Sequence, residues 1–212
     1  PLIGPNCLGI INPSENLNAS FAPDTPKQGS IAFLSQSGAL IDSVIDKSLL
    51  EGFGFSLMVS YGNEAGLSLN DFLKIASQDK NTKVIAVYLE EIKNGQEFIK
   101  ITSEITKTKP IVVLKGGKTQ EGKKAVQSHT ASLAGDEKIY SAVFKKAGVI
   151  EVETIEDLFL ISQALSIYNN HVILTTPPPV ILRHQPKDLP DTSLIAQGDK
   201  EDEHARSGWA IL

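Results

Sequence analysis

Sulfur, aromatic rings and arginine are all scarce in this sequence. Cys7 is the sole cysteine among 212 residues. An internal disulfide and a four-cysteine zinc site are therefore both excluded, and a reducing compartment is the natural setting. Aromatic residues make up 6% of the chain and Trp209 is its only tryptophan. The apolar fraction is mostly aliphatic, which suits a Val/Ile/Leu-rich parallel sheet covered by helices better than a surface of stacked rings. No arginine precedes Arg183, and the net charge is −5. Broad attraction to nucleic acid or to an anionic membrane is excluded on that balance. No apolar run is long enough to span a bilayer and no signal-peptide pattern opens the chain, so a cytoplasmic location is expected. Neither Gly-x-Gly-x-x-Gly nor Gly-x-x-x-x-Gly-Lys-Ser/Thr occurs, which disfavours a dinucleotide fingerprint and a P-loop.

What the sequence does contain is a regular alternation of apolar runs and helical periods. Strands are expected at residues 30–34, 55–60, 84–88, 110–114 and 149–152. Helices are expected at about residues 39–50, 68–77, 96–105, 136–146 and 155–168, from apolar spacing and stop signals such as Glu51-Gly52. Strand, turn and helix recur over most of the chain, so the fold class is α/β, an open parallel sheet with helices on both faces. Ligands in such sheets bind beyond the carboxyl ends of the strands. Residues 35–39, 62–65, Glu90 and 115–129 all fall at such ends. Residues 2–12 read as the last strand of a preceding domain, followed by a loop-rich linker. The opening Pro1-Leu2-Ile3-Gly4-Pro5-Asn6, without an initiator methionine, reads as the inside of a longer protein. After residue 176 the chain becomes proline-rich and polar, beginning with Pro177-Pro178-Pro179. That tail carries too little apolar material for a core and is expected to be disordered or non-native.

Three groups of residues carry candidate chemistry. Ser35-Gln36-Ser37-Gly38-Ala39 turns from a strand into a helix, where unpaired N–H groups and the helix dipole make an anion site. The plain alternative is an N-cap serine. Ser128-His129-Thr130-Ala131-Ser132 sets a histidine among hydroxyls, after a loop containing Lys115, Gly116, Gly117, Lys118, Gly122, Lys123 and Lys124. A neutral imidazole there is a suitable nucleophile for a phosphoryl centre. Its bland reading is a structural histidine, and that of the lysines a solvated loop. Glu90 ends the third strand, where its carboxylate can accept a hydrogen bond from one imidazole nitrogen and fix the tautomer. Glu91 reads as solvent-facing, and Cys7 as a small buried residue. Ser37, Glu90 and His129 also follow the serine–acid–histidine order of an α/β-hydrolase. A nucleophile elbow, however, wants glycine two residues before the serine, and Ser35 stands there.

Taken together, Gly4-Pro5-Asn6-Cys7-Leu8-Gly9, Ser35-Gln36-Ser37-Gly38-Ala39-Leu40, Gly62-Asn63-Glu64-Ala65, Tyr88-Leu89-Glu90 and Ser128-His129-Thr130-Ala131-Ser132-Leu133-Ala134-Gly135 resemble, in order and spacing, the ADP-forming acyl-CoA (acetyl-CoA) synthetases. These are relatives of the succinyl-CoA synthetase α subunit. The resemblance implies four segments. Residues 1–26 would be the end of a CoA-binding domain with its linker, and 27–152 a flavodoxin-like phosphohistidine domain. Residues 153–176 would start a further ligase domain, and 177–212 would be the atypical tail. It implies a ligase that interconverts acyl-CoA, ADP and phosphate with carboxylate, CoA and ATP, through an acyl phosphate and a phosphohistidine at His129 supported by Glu90. Gln36, Ser37, Gly38, Ala39, Ser128 and Thr130 would hold phosphate, and Asn6 and Cys7 would contact CoA. Mg²⁺ would accompany the nucleotide on an ATP-grasp domain or β subunit outside this chain, and no metal site is implied within it. The other partners implied are the rest of the CoA-binding domain and a small acyl substrate, with neither nucleic acid nor membrane. Two rivals remain: a non-catalytic CoA- or nucleotide-binding regulatory module, and a hydrolase acting through Ser37.

Overall fold

The computed structural model describes residues 1–117 and 137–168. Its strands are β1 (Gly9–Asn12), β2 (Leu17–Ser20), β3 (Gln28–Ser35), β4 (Phe55–Ser60), β5 (Val84–Leu89), β6 (Ile111–Lys115) and β7 (Ile150–Val152). Its helices are α1 (Gly38–Glu51), α2 (Leu69–Gln78), α3 (Gly95–Ile105), α4 (Glu137–Ala147) and α5 (Ile155–Ile167). All strands lie in one sheet, in the order β2-β1-β4-β3-β5-β6-β7. From β4 to β7 the pairings are parallel. β1 instead runs antiparallel to both β4 and β2, which makes the sheet mixed. The reason is local. β1 and β2 are joined by the short turn Pro13–Glu15, in which Asn12 caps the Glu15 amide and Asn16 adopts φ 52°. Only antiparallel strands can be linked so tightly.

The central strands are buried on both faces, as their unbroken apolar runs require. On one face Leu34, Val59, Val87 and Val113 pack beneath Phe72, Leu73, Phe98 and Phe144 of α2, α3 and α4. On the other face Phe33 and Phe55 meet Phe159 of α5 at ring separations of 5.1 and 5.9 Å. There α1 buries Ile41, Val44 and Ile45. Helix ends follow their caps. Ser37 starts α1 and Gly52, at φ 81°, stops it. Ser68 and Asp71 form a capping box on α2, and the Ser68 hydrogen bonds hold the Asp71 carboxyl below its usual value.

Residues 1–26 and α5 thus pack on the same sheet as the segment between them, within a compact unit spanning Pro1–Ile167. The expected tail, 177–212, lies outside the described residues. From β3 the chain crosses to β4 on one side, and from β4 it returns past β3 to β5. The strand order therefore reverses between β3 and β5, and open α/β sheets form their ligand crevice beyond the carboxyl ends at such a point.

The burial of Phe159 among Phe33, Phe53 and Phe55 makes α5 part of the core. Phe159→Ala should destabilise the protein by about 3–5 kcal/mol, read as a lowered urea midpoint. A change below about 1 kcal/mol would show instead that α5 is dispensable to this core.

Candidate active site

The crevice is built by the last residues of neighbouring strands. Register sets Ser35 of β3 beside Ser60 of β4 and Tyr88 of β5, and Leu89 beside Lys115 of β6. Beyond β3 the chain turns sharply. The Ser35 hydroxyl donates to the Ser37 carbonyl at 2.7 Å and accepts from the Ser37 amide at 3.1 Å. Ser37 then caps α1 by accepting from the Leu40 amide at 3.3 Å. This leaves the Gly38 and Ala39 amides as donors with no acceptor among the described residues, at the positive end of the helix dipole. At Gly38 the main chain of the amino-terminal segment comes close, and a side chain there would be a tight fit. A Cβ there would lie 3.1 Å from the Leu8 nitrogen and 3.5 Å from the Ser60 hydroxyl oxygen. That hydroxyl is buried and finds no hydrogen-bond partner among the described residues.

The β5 side is tied to this turn by one side chain. Gln36, 8% exposed, accepts from the amides of Glu90 and Glu91 at 2.8 and 3.1 Å through its side-chain oxygen. Its own amide donates to the Tyr88 carbonyl at 3.0 Å. The Tyr61 hydroxyl donates to that same carbonyl at 3.0 Å. Burial first, then the charge and closeness of the Glu90 carboxylate, push the Tyr88 phenol up to about 12. Tyr61, fully buried, is raised well above its ordinary value, by burial first and then by Glu64, Glu90 and Tyr88. From β6, Gly116 donates its amide to the Leu89 carbonyl at 2.8 Å. A Cβ on Gly116 would meet the Tyr88 hydroxyl at 2.5 Å, so a larger residue there would have to displace that side chain. Lys115, 6% exposed, donates to the Gly116 carbonyl at 2.6 Å and sits 4.8 Å from the centre of the Tyr140 ring.

The amino-terminal segment forms a further wall. Amides of Asn63, Ala65 and Leu67 donate to the carbonyls of Pro5, Gly4 and Leu2 at 2.8–2.9 Å. Asn6, at φ 55°, is exposed and reaches Asn63 at 3.4 Å. The Cys7 sulfur contacts the Ile3 carbonyl at 3.8 Å. Glu64 accepts from the Leu69 amide at 2.6 Å and lies 3.8 Å from Lys93. Burial raises its carboxyl, against the pull of the Leu69 amide and Lys93.

Residues 28–165 match the profile of the succinyl-CoA ligase like flavodoxin domain. The chain belongs to that family. It is 48% identical over 158 residues to the acetate–CoA ligase [ADP-forming] I of Archaeoglobus fulgidus, a match covering 74% of this chain and 23% of that protein. It is 44% identical over 165 residues to the acetate–CoA ligase [ADP-forming] II subunit alpha of Pyrococcus furiosus, covering 78% and 36%. A solved dinucleotide forming acetyl-coenzyme A synthetase 1 from Ca. Korarchaeum cryptofilum, in complex with phosphate and ADP, superposes with a TM-score of 0.72 at 41% identity, covering 77% and 36%. The chain spans about a quarter to a third of the length of these relatives.

In this succinyl-CoA ligase-like domain, Gln36, Ser37, Gly38, Ala39 and Glu90 meet at the crevice. The loop carrying Asn6 and Cys7 runs into Leu8 beside Gly38. Ser128, His129 and Thr130 lie outside the described residues, in the stretch of sequence that follows Gly117. Sequence reasoning passed over Tyr61 and Ser60, because each lies within an apolar run or at its end, and it placed Lys115 in the polar loop, whereas Lys115 is the buried last residue of β6. The only available signal was that polar groups occupy strand ends. Ser37 has φ −95° and ψ 122°, a relaxed extended conformation with its oxygen engaged as a cap, not the strained turn of a hydrolase nucleophile. Among the described residues no group of three or more His, Cys, Asp or Glu side chains is placed to hold a metal ion.

Buried Tyr61 and half-buried Tyr88 bind their protons more tightly in the folded state than the ordinary phenol, whose value is 10.0. Their contribution to stability is complete below pH 10.0 and is lost as pH rises through the folded-state values, about 12 for Tyr88. Urea midpoints should therefore fall steeply above pH 10.0, and Tyr88→Phe should make that fall shallower. An unchanged slope in the variant would show that the Tyr88 phenol is not held in this way.

Proposed function

We propose that this chain is the phosphoryl-transfer domain of an ADP-forming acyl-CoA ligase. The observation that carries the reading is the crevice between β3 and β5. It sets two open helix-start amides, at Gly38 and Ala39, beside a loop that presents a carboxylate, at Glu90, next to the strand from which the His129 stretch departs. Amide donors at a helix start suit a phosphoryl dianion. A carboxylate at the rim suits an imidazole that must be held in one tautomer.

On this reading phosphate attacks the acyl-CoA carbonyl and the CoA thiolate leaves, forming an acyl phosphate. The neutral His129 nitrogen then attacks phosphorus and the carboxylate departs. Glu90 accepts a hydrogen bond from the other ring nitrogen, which supports the positive charge that develops on the ring. Gly38 and Ala39 amides, with the Ser37 hydroxyl, hold the phosphoryl oxygens, joined by Ser128 and Thr130. ADP finally takes the phosphoryl group from His129 to give ATP. The nucleotide and its Mg²⁺ belong to an ATP-grasp domain or subunit. This accords with the Pyrococcus furiosus relative being named a subunit alpha and with the Korarchaeum protein carrying phosphate and ADP. Residues 1–26 are assigned to the end of a CoA-binding domain, with Asn6 and Cys7 toward CoA. A cytoplasmic setting accords with the single cysteine, and no helix among the described residues is long and apolar enough to cross a membrane.

Incubating the full-length protein and its partner subunit with ATP and Mg²⁺ should yield acid-labile, base-stable phosphate, and His129→Asn should abolish it. Glu90→Gln should keep the fold and slow labelling by about 100-fold. An unlabelled wild type would turn the reading toward a non-catalytic binding module. Unchanged kinetics in Glu90→Gln would remove Glu90 from the mechanism.

A further inference from the structure

We infer that Gln36 is a positioning residue: it sets the spacing between the anion-binding start of α1 and the Glu90 carboxylate, acting through main-chain amides and not by touching phosphate. The inference rests on the phosphoryl-transfer reading and refines it, since Gln36 stands inside the motif expected to hold phosphate. Its side-chain oxygen is already engaged by main-chain amides. The amide oxygen is taken up by the N–H groups of Glu90 and Glu91, and the residue is 8% exposed. Two successive amides bound to one oxygen fix the peptide between them, and with it the direction in which Glu90 leaves the strand. The main chain of Gln36 adds a third tie, its amide donating to the Tyr88 carbonyl. The next residue, Ser37, caps α1. One residue therefore couples both walls of the crevice. A shift at Gln36 moves the helix start and the Glu90 loop relative to each other.

The residue type follows from the same geometry. The site needs an acceptor of this length, and asparagine would stop one methylene short. It also needs neutrality. A carboxylate would accept the same two hydrogen bonds but add negative charge beside an anion site. Glutamine meets both conditions. Hydrophobic residues of similar length would leave two inward-facing amides without an acceptor.

The full-length enzyme with its partner subunit tests this with Gln36→Met and Gln36→Glu. Gln36→Met should lower the single-turnover rate of His129 phosphorylation by about 10- to 100-fold. The apparent KM for phosphate should stay within about twofold, because no phosphate ligand has been removed. Hydrogen exchange at the Glu90 and Glu91 amides should quicken while the β6 amides keep their protection. Gln36→Glu restores the acceptor and should return both amides to wild-type protection. A raised KM for phosphate with an unchanged transfer rate in Gln36→Met would overturn the inference and make Gln36 a phosphate ligand. Wild-type labelling and exchange in that variant would overturn it too. Should Gln36→Met not fold, Gln36→Glu decides alone, and loss of amide protection there ends the case. The phosphohistidine reading fails separately, through an unlabelled wild type.

Discussion

Parallel strands cannot be joined by a hairpin, and the rest of this molecule follows from that constraint. Each connection between parallel strands must climb over a face of the sheet, and among the parallel strands β3 to β7 the order reverses once, with the switch point between β3 and β5. At that point two neighbouring strands send their following helices apart. The gap between them has strand ends for a floor and a helix start for a wall. Gln36 bridges it, with one side-chain oxygen and one main-chain amide bound to the opposite loop. Without such a bridge the two walls would be joined only by the β3–β5 ladder beneath them.

The polar groups around this gap are packed, not scattered. The Tyr61 hydroxyl donates to the Tyr88 carbonyl, the Glu90 carboxylate lies near both phenols, and Gly116 yields the space that the Tyr88 hydroxyl occupies. Lys115 is drawn down between the Gly116 carbonyl and the Tyr140 ring. Each group satisfies another in a setting where an unsatisfied one is costly. Among the described residues the same packing leaves the amides at the start of α1 without an acceptor, beside the buried Ser60 hydroxyl. A rim of engaged groups around a few open donors suits a site that receives an anion.

The amino-terminal segment belongs to this arrangement. Its main chain pairs with residues 63–67, and Leu8 closes on Gly38. β1 then enters the sheet against β4. The segment is thus held from both sides before the alternating α/β pattern begins.

The alternation itself was legible in the sequence. Apolar runs and helical periods located five strands and five helices to within about two residues, because burial against a sheet imposes its own spacing on each element. The Ser35–Ala39 turn and Glu90 could be found the same way, since strand ends and helix starts are local features. The strand expected over residues 2–12 is confined to Gly9–Asn12, and neither its antiparallel pairing with β4 nor β2, which falls in the expected linker, was legible, because those pairings join residues far apart in the chain. Nor was the partner of Gln36, whose amide oxygen could have faced solvent or phosphate on any local reading. Local propensity thus determined the elements and the residue types at their ends. Only tertiary packing decided which ends meet, because hydrogen bonds such as those from Glu90 and Glu91 to Gln36 exist only once the strands lie side by side.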